Sequence, residues 1–145
     1  MNLFSRQYVL HLMKLPTDLQ ILNEIYEKYY SEFVKFDKHK PQRDARIYVP
    51  IDIDKIGQSL NIDSDIIFGR LYYHLNNKYT YEKDGATIDF FALRQGNDIH
   101  LIQFPYMASI LAEQRAEAKK HYSNLWISIF SLVIAVVSIA ISIFT

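Results

Sequence analysis

"IDKIGQSLNIDSDIIFGRLYYHLNNKYTYEKDG", residues 53–85, is the stretch whose reading decides the fold. Ile53, Ile56, Gly57 and Leu60 share one face of a short helix, with Asp52 placed to cap it. Asn61 tolerates the left-handed backbone that ends such a helix. Asp63 caps a second helix, on which Ile67, Leu71 and Leu75 recur every fourth residue and face inward. Two helices joined by so tight a turn predict a helix-turn-helix. Asp84-Gly85 then reads as a two-residue hairpin turn.

Upstream, Thr17 and Gln20 are spaced as a capping box. Leu22, Ile25, Tyr26, Tyr29, Phe33 and Phe36 follow at helical spacing. Phe36 to Arg46 is a polar break in which Pro41 stops any helix. Lys35, Lys38, His39, Lys40, Arg43 and Arg46 lie in and around it. We read it as a solvated loop, with an anionic-lipid or nucleic-acid contact as the sharper alternative. Arg46 to Ile51 predicts a short strand ended by Pro50. Downstream, strands are predicted around Tyr79–Lys83, Thr87–Leu93 and Ile99–Phe104, with "RQGND" as the second turn. Pro105 suits the first turn of a helix, and no Gly or Pro interrupts from Tyr106 to Phe144.

Helix, strand, helix-turn-helix and β-hairpin wing, in that order over Thr17 to Phe104, resemble a winged helix-turn-helix domain. The chain is also similar to small bacterial proteins that join such a domain to one C-terminal membrane helix. The resemblance implies an α+β fold. It expects an N-terminal segment over 1–16, a winged-helix domain over 17–105, a juxtamembrane helix over 106–124 and a transmembrane helix over 125–144.

Leu125 to Phe144 carries no charge, no Gly and no Pro. As a helix its 20 residues span roughly 30 Å, the thickness of a hydrocarbon core. Tyr122 and Trp126 fit an interfacial aromatic belt. Arg115, Lys119 and Lys120 precede the span and only Thr145 follows it, so positive charge places the domain in the cytosol. The expected topology is single-pass and tail-anchored, as in a bacterial inner membrane. Arg6, His11 and Lys14 interrupt the apolar start, leaving no stretch long enough for a signal peptide.

The 145 residues hold 16 basic and 16 acidic side chains, which argues against a generally polyanion-seeking surface. With no cysteine, disulfides, zinc-thiolate sites and thiol catalysis are excluded. His11, His39, His74, His100 and His121 lack metal-ligand spacing. Asp52, Asp54, Asp63 and Asp65 are close in sequence, but two of them serve as caps and the group lacks calcium-loop spacing. There is no phosphate loop and no nucleophile elbow. A non-enzymatic protein without cofactor is therefore expected.

In DNA-binding relatives the second helix of the motif enters the major groove. Here its outer face reads Asp65, Gly69, Tyr72, Tyr73 and Asn76, flanked by Phe68. Carboxylates at 63 and 65 repel phosphate where base contacts would be made. Aromatic, charge-poor faces suit protein partners. Asp65, Phe68, Tyr72, Tyr73 and Asn76 are the partner-face candidates; the alternative packs Phe68 and Tyr72 under the wing or the N-terminal segment. A membrane-tethered DNA-binding regulator is the second functional reading.

Within the span, Ser128, Ser131, Ala135, Ser138 and Ser142 alternate steps of three and four, the seam of a left-handed coiled coil. Asn124 and Thr145 extend it. The seam predicts self-association in the bilayer through close packing and hydroxyl bonds. Incidental serines bonded to their own helix are the bland alternative. A higher oligomer with serines around a polar lumen, as in a membrane-perturbing defence or toxin effector, is the third functional reading.

Overall fold

The computed structural model describes residues 15–39, 41, 43 and 45–144. The N-terminal segment up to Lys14, the basic Lys40 and the seam's end at Thr145 lie outside them. The chain falls into two compact units, Met1–Leu111 and Ala112–Thr145.

Helix α1 is Asp18–Val34. Thr17 Oγ1 accepts from the Gln20 N–H at 3.2 Å and Gln20 Oε1 accepts from the Thr17 N–H at 2.9 Å, so the capping box forms as the sequence predicts. Ile21, Leu22, Ile25 and Tyr29 are buried, while Tyr26 and Phe33 stack on Phe104 at 5.7 and 4.9 Å between ring centroids. Phe36 lies past the helix end, beneath the guanidinium of Arg43 at 4.9 Å. That arginine also donates to the carbonyls of Glu32, Phe33, Ala45 and Arg46. It closes the C-terminus of α1, where carbonyls lack helical partners. Burial lowers its pKa from the ordinary value. Arg43 thus serves the fold and leaves the basic loop one cation poorer.

Strand β1 (Tyr48–Pro50) leads into helix α2 (Ile53–Leu60), capped by the Asp52 carboxylate on the Lys55 N–H at 3.0 Å. Asn61 ends α2 with φ of 53°. The Ile62 N–H reaches the Gly57 carbonyl at 2.9 Å and the Asn61 N–H that of Gln58 at 3.2 Å, the paired bonds of a Schellman turn. Asp63 then caps helix α3 (Ser64–Gly69).

The helix does not continue as α. Arg70–Asn76 is π-helical, followed by a last turn, α4 (Asn77–Tyr79). Ile67, Leu71 and Leu75 are nonetheless all fully buried. In an α-helix, four-residue steps drift by about 40° each. Wider i to i+5 turns reduce that drift and hold the three on one side.

Two separate sheets follow. Strands β2 (Tyr81–Lys83) and β3 (Ala86–Ile88) form a hairpin over Asp84-Gly85, where φ is 53° and 79°. Positive φ at both central residues is the turn that Asp-Gly favours. Strands β4 (Phe91–Gln95) and β5 (Asp98–Gln103) pair antiparallel, and β1 adds to β5, giving the order β1-β5-β4. Pro50 sits on an edge strand, where its missing donor is tolerated.

The single strand expected over Thr87–Leu93 is broken at Asp89-Phe90. Phe90 and Phe91 are adjacent and both buried, at 0 % and 1 % exposure. A continuous strand would turn them to opposite faces. The Phe91 N–H instead bonds Asn76 Oδ1 at 2.9 Å, while the Phe90 carbonyl accepts from the Gln103 N–H at 3.0 Å.

Helix α5 is Phe104–Phe144. Phe104, Met107, Ile110 and Leu111 join the core with residues of α1, α2, α3 and the sheet. From Ala112 to Ser142 no residue is buried. The protein is therefore an α+β domain with small antiparallel sheets and a long C-terminal helix. That helix has the length and composition to cross a membrane.

Candidate functional site

The five partner-face candidates divide by environment. Tyr73 is 71 % exposed and sets its ring edgewise on Tyr72 and Phe68. Phe68 and Tyr72 are half-buried and stacked on each other at 5.5 Å, both resting on the core. Phe68 also meets Phe91 and His100 edgewise at 6.1 and 5.7 Å. Asp65 is exposed at the start of α3. Asn76 is turned inward: its side-chain oxygen accepts from Phe91 N–H and the Thr80 hydroxyl, both at 2.9 Å. It fastens the π-helix to β4 and is not part of an outward face.

Sequence reasoning missed Ile66, 43 % exposed, and Leu93, also 43 % exposed. Ile66 lies on α3, seven residues before Tyr73. Leu93 follows Phe91 by two on β4, so both point to the side that carries Phe68. A scan for bulky apolar residues adjoining the aromatic run would have found them. Phe68, Tyr72 and Tyr73 therefore form an aromatic ledge, with Ile66 exposed on α3 and Leu93 exposed on β4.

Two basic residues of the π-helix are engaged. Arg70 pairs with Asp18 at the start of α1, and His74 Nε2 lies 3.5 Å from the same carboxylate. Tyr29 accepts the Asp52 N–H at 2.7 Å, and burial raises its pKa above the usual phenol value. His100 holds φ of 53° within β5, a backbone region that side chains rarely adopt. Its carbonyl accepts from the Ile51 N–H at 2.9 Å. Among the described residues no three His, Asp or Glu side chains converge as a metal site requires.

In the second unit, Tyr122, Trp126 and the span up to Ser142 are exposed. Arg115, Lys119 and Lys120 are exposed on the turns before it. Three of the four seam serines bond within the helix: Ser128 to the Asn124 carbonyl at 3.0 Å, Ser131 to Ile127 at 2.9 Å and Ser138 to Ile134 at 2.9 Å. Such back-bonding satisfies each hydroxyl in lipid. For these three serines this is the own-helix bonding of the bland alternative, and it leaves the small size of the residues as what the seam has to offer. Comparison with protein-family models, curated proteins and solved structures finds no match for this chain.

The division between ledge and core is testable by a pair of variants. Tyr73→Ala should alter stability by less than about 0.5 kcal/mol, as surface changes do. Leu71→Ala, two residues away and fully buried, should cost about 2–5 kcal/mol. Thermal melts of both against wild type check this; equal losses would put Tyr73 in the core.

Proposed function

We propose that the chain is a non-enzymatic, membrane-anchored interaction module. In this reading a winged-helix domain is held at the cytoplasmic face by α5, presents the Tyr73 ledge to a partner protein, and pairs with its own copies through the serine seam. One observation carries it: none of the apolar window in α5 is buried, while the core of the domain is complete by Leu111. A bare helix of that length needs hydrocarbon around it. The winged-helix assignment rests on the order α1, β1, α2, α3 and two hairpins. Protein rather than DNA is favoured because the outward helix carries exposed Asp63 and Asp65, and its Arg70 already pairs with Asp18. Simple pairing is favoured over a polar lumen because Ser128, Ser131 and Ser138 bond their own helix.

A photo-crosslinking amino acid at Tyr73 in the full chain, expressed in cells, should give a discrete adduct that the same probe at Lys83 does not. Identical patterns at both positions, or no adduct at Tyr73, would remove the ledge as a contact face. The seam is tested separately. Ser131→Ile with Ser138→Ile should weaken self-association in a bilayer by about 1–3 kcal/mol, because added bulk separates the backbones. Val133→Ile with Val137→Ile adds the same kind of bulk off the seam and should do little. Both pairs raise hydrophobicity, so insertion is preserved and only the position of the bulk differs.

A further inference from the structure

Helix α1 carries a second apolar stripe besides the one that faces the core. Ile21, Leu22, Ile25 and Tyr29 are buried in the domain. Leu19, Tyr26, Tyr30 and Val34 lie about 120° around the same helix. Tyr26 leads out from the core: its ring stacks on Phe104 at 5.7 Å and meets Tyr30 at 5.2 Å. Tyr30 is 48 % exposed and Val34 59 %. A surface helix has one apolar face for one core, so a second stripe calls for a second cover. The chain supplies one beside it. Residues 1–14, "MNLFSRQYVLHLMK", are more than half apolar, and Phe4, Tyr8, Leu12 and Leu15 recur at steps of four, four and three. Leu15, Pro16 and Thr17 are all that separates them from α1, whose start the Thr17 capping box fixes. Leu15 is itself 63 % exposed.

We propose that residues 1–14 turn back at Leu15–Thr17 and lie antiparallel along this stripe of α1. Connections of two to five residues join antiparallel helices. As a helix the fourteen residues reach about 21 Å, close to the roughly 26 Å of α1. The return sets Phe4 within a turn of Tyr30 and Arg6 within a turn of Glu27, which is exposed at the edge of the stripe. Residues 1–14 hold Arg6 and Lys14 and no acid, so their charge is complementary to that edge. Opposite charge then fixes a register that apolar contact leaves loose. A free segment of this basic, apolar kind would adhere to a lipid surface. Docked on α1, it closes the second stripe to partners and leaves the Tyr73 ledge as the open aromatic face. The docking goes beyond the reading of the domain as an interaction module and does not depend on it.

The test uses the full chain in nanodiscs of neutral phosphatidylcholine, one copy per disc. A photo-crosslinking phenylalanine derivative at Tyr30 keeps an aromatic ring in place, and mass spectrometry locates its adduct. The adduct should join residues 1–14 of the same chain, and the same probe at Lys83 should not reach them. Phe4→Asp with Leu12→Asp should cut the Tyr30 adduct about fivefold or more, because carboxylates do not bury against aromatic rings. Phe4→Tyr with Leu12→Met keeps size and apolar character and should preserve it. An adduct on lipid would place the segment on the bilayer instead and overturn the proposal. An adduct elsewhere in the chain, no adduct at all, or one unchanged by the aspartates would overturn it equally. None of these outcomes bears on the Tyr73 adduct in cells, so the interaction module stands or falls separately.

Discussion

Gly57→Val should destabilise the domain by about 3 kcal/mol or more, although it replaces a glycine in the middle of a helix. By helix propensity alone, removing that glycine would help, since Gly is up to about 1 kcal/mol worse than Ala. Packing reverses the sign. A Cβ at Gly57 would stand 2.8 Å from the Ile62 carbonyl oxygen and 3.3 Å from the Ser64 Cα and N. These are backbone atoms of the turn that joins α2 to α3, and no side-chain rotation relieves them. The same turn is tied to Gly57 through the Ile62 N–H bond to its carbonyl. Adding a Cβ therefore pries α3 away from α2 and uncovers Ile56 and Ile67, both fully buried. The matched control is Gly69→Ala, where the nearest atom is Tyr73 Cδ2 at 3.9 Å, an ordinary contact. It should be neutral or stabilise by up to about 1 kcal/mol. Thermal or urea melts of both variants decide the matter. A Gly57→Val protein as stable as wild type would mean that the turn is looser than its geometry indicates.

Gly57 also marks what could be read in advance. Its place on the inner face of α2 follows from periodicity, and so do the Asp52 and Asp63 caps and the left-handed Asn61. These are local features, fixed by residues three to five apart. The strand break at Asp89-Phe90 was not legible in that way. It depends on Asn76, fifteen residues back, taking the Phe91 N–H. The π-helix left a trace, because fourth-residue spacing over Ile67, Leu71 and Leu75 overshoots an α-turn. The role of Arg43 left none: a cation in a polar loop resembles its neighbours until the carbonyls at the end of α1 surround it. The same limit holds for the surface sites. The aromatic run was visible, but which ring faces water depends on what β4 and β5 cover. The cleft lined by Tyr29, Asp52, Phe68 and His100 joins residues from four segments of the chain, a proximity that no local pattern encodes.

Ile134→Arg with Val137→Arg should abolish stable membrane residence and leave the domain intact. Wild type should remain in the membrane fraction through high-salt and alkaline washes, because burying an uncharged 20-residue span outweighs any peripheral contact. A charged side chain at the centre of a span costs about 2.5–3.5 kcal/mol on insertion scales, so two should cost about 5–7 kcal/mol. That is roughly 10³–10⁵-fold in partitioning. The variant should leave the pellet on washing. Its domain melting temperature should match wild type, because no residue from Ala112 to Ser142 contributes a buried side chain to the core. These two readouts separate the possible roles of α5. Loss from the membrane with an unchanged melt makes the helix an anchor for an independent domain. Loss together with a lowered melt would mean that the span packs on the domain and belongs to its core. Retention through the alkaline wash would mean that something other than Leu125–Phe144 holds the protein there, and the anchored-module reading would fall. The seam variant Ser131→Ile with Ser138→Ile completes the logic: it should stay in the pellet, since both changes favour hydrocarbon, while losing self-association. Anchoring and pairing are then separate properties of one helix, the first set by its overall apolarity and the second by where its small residues fall.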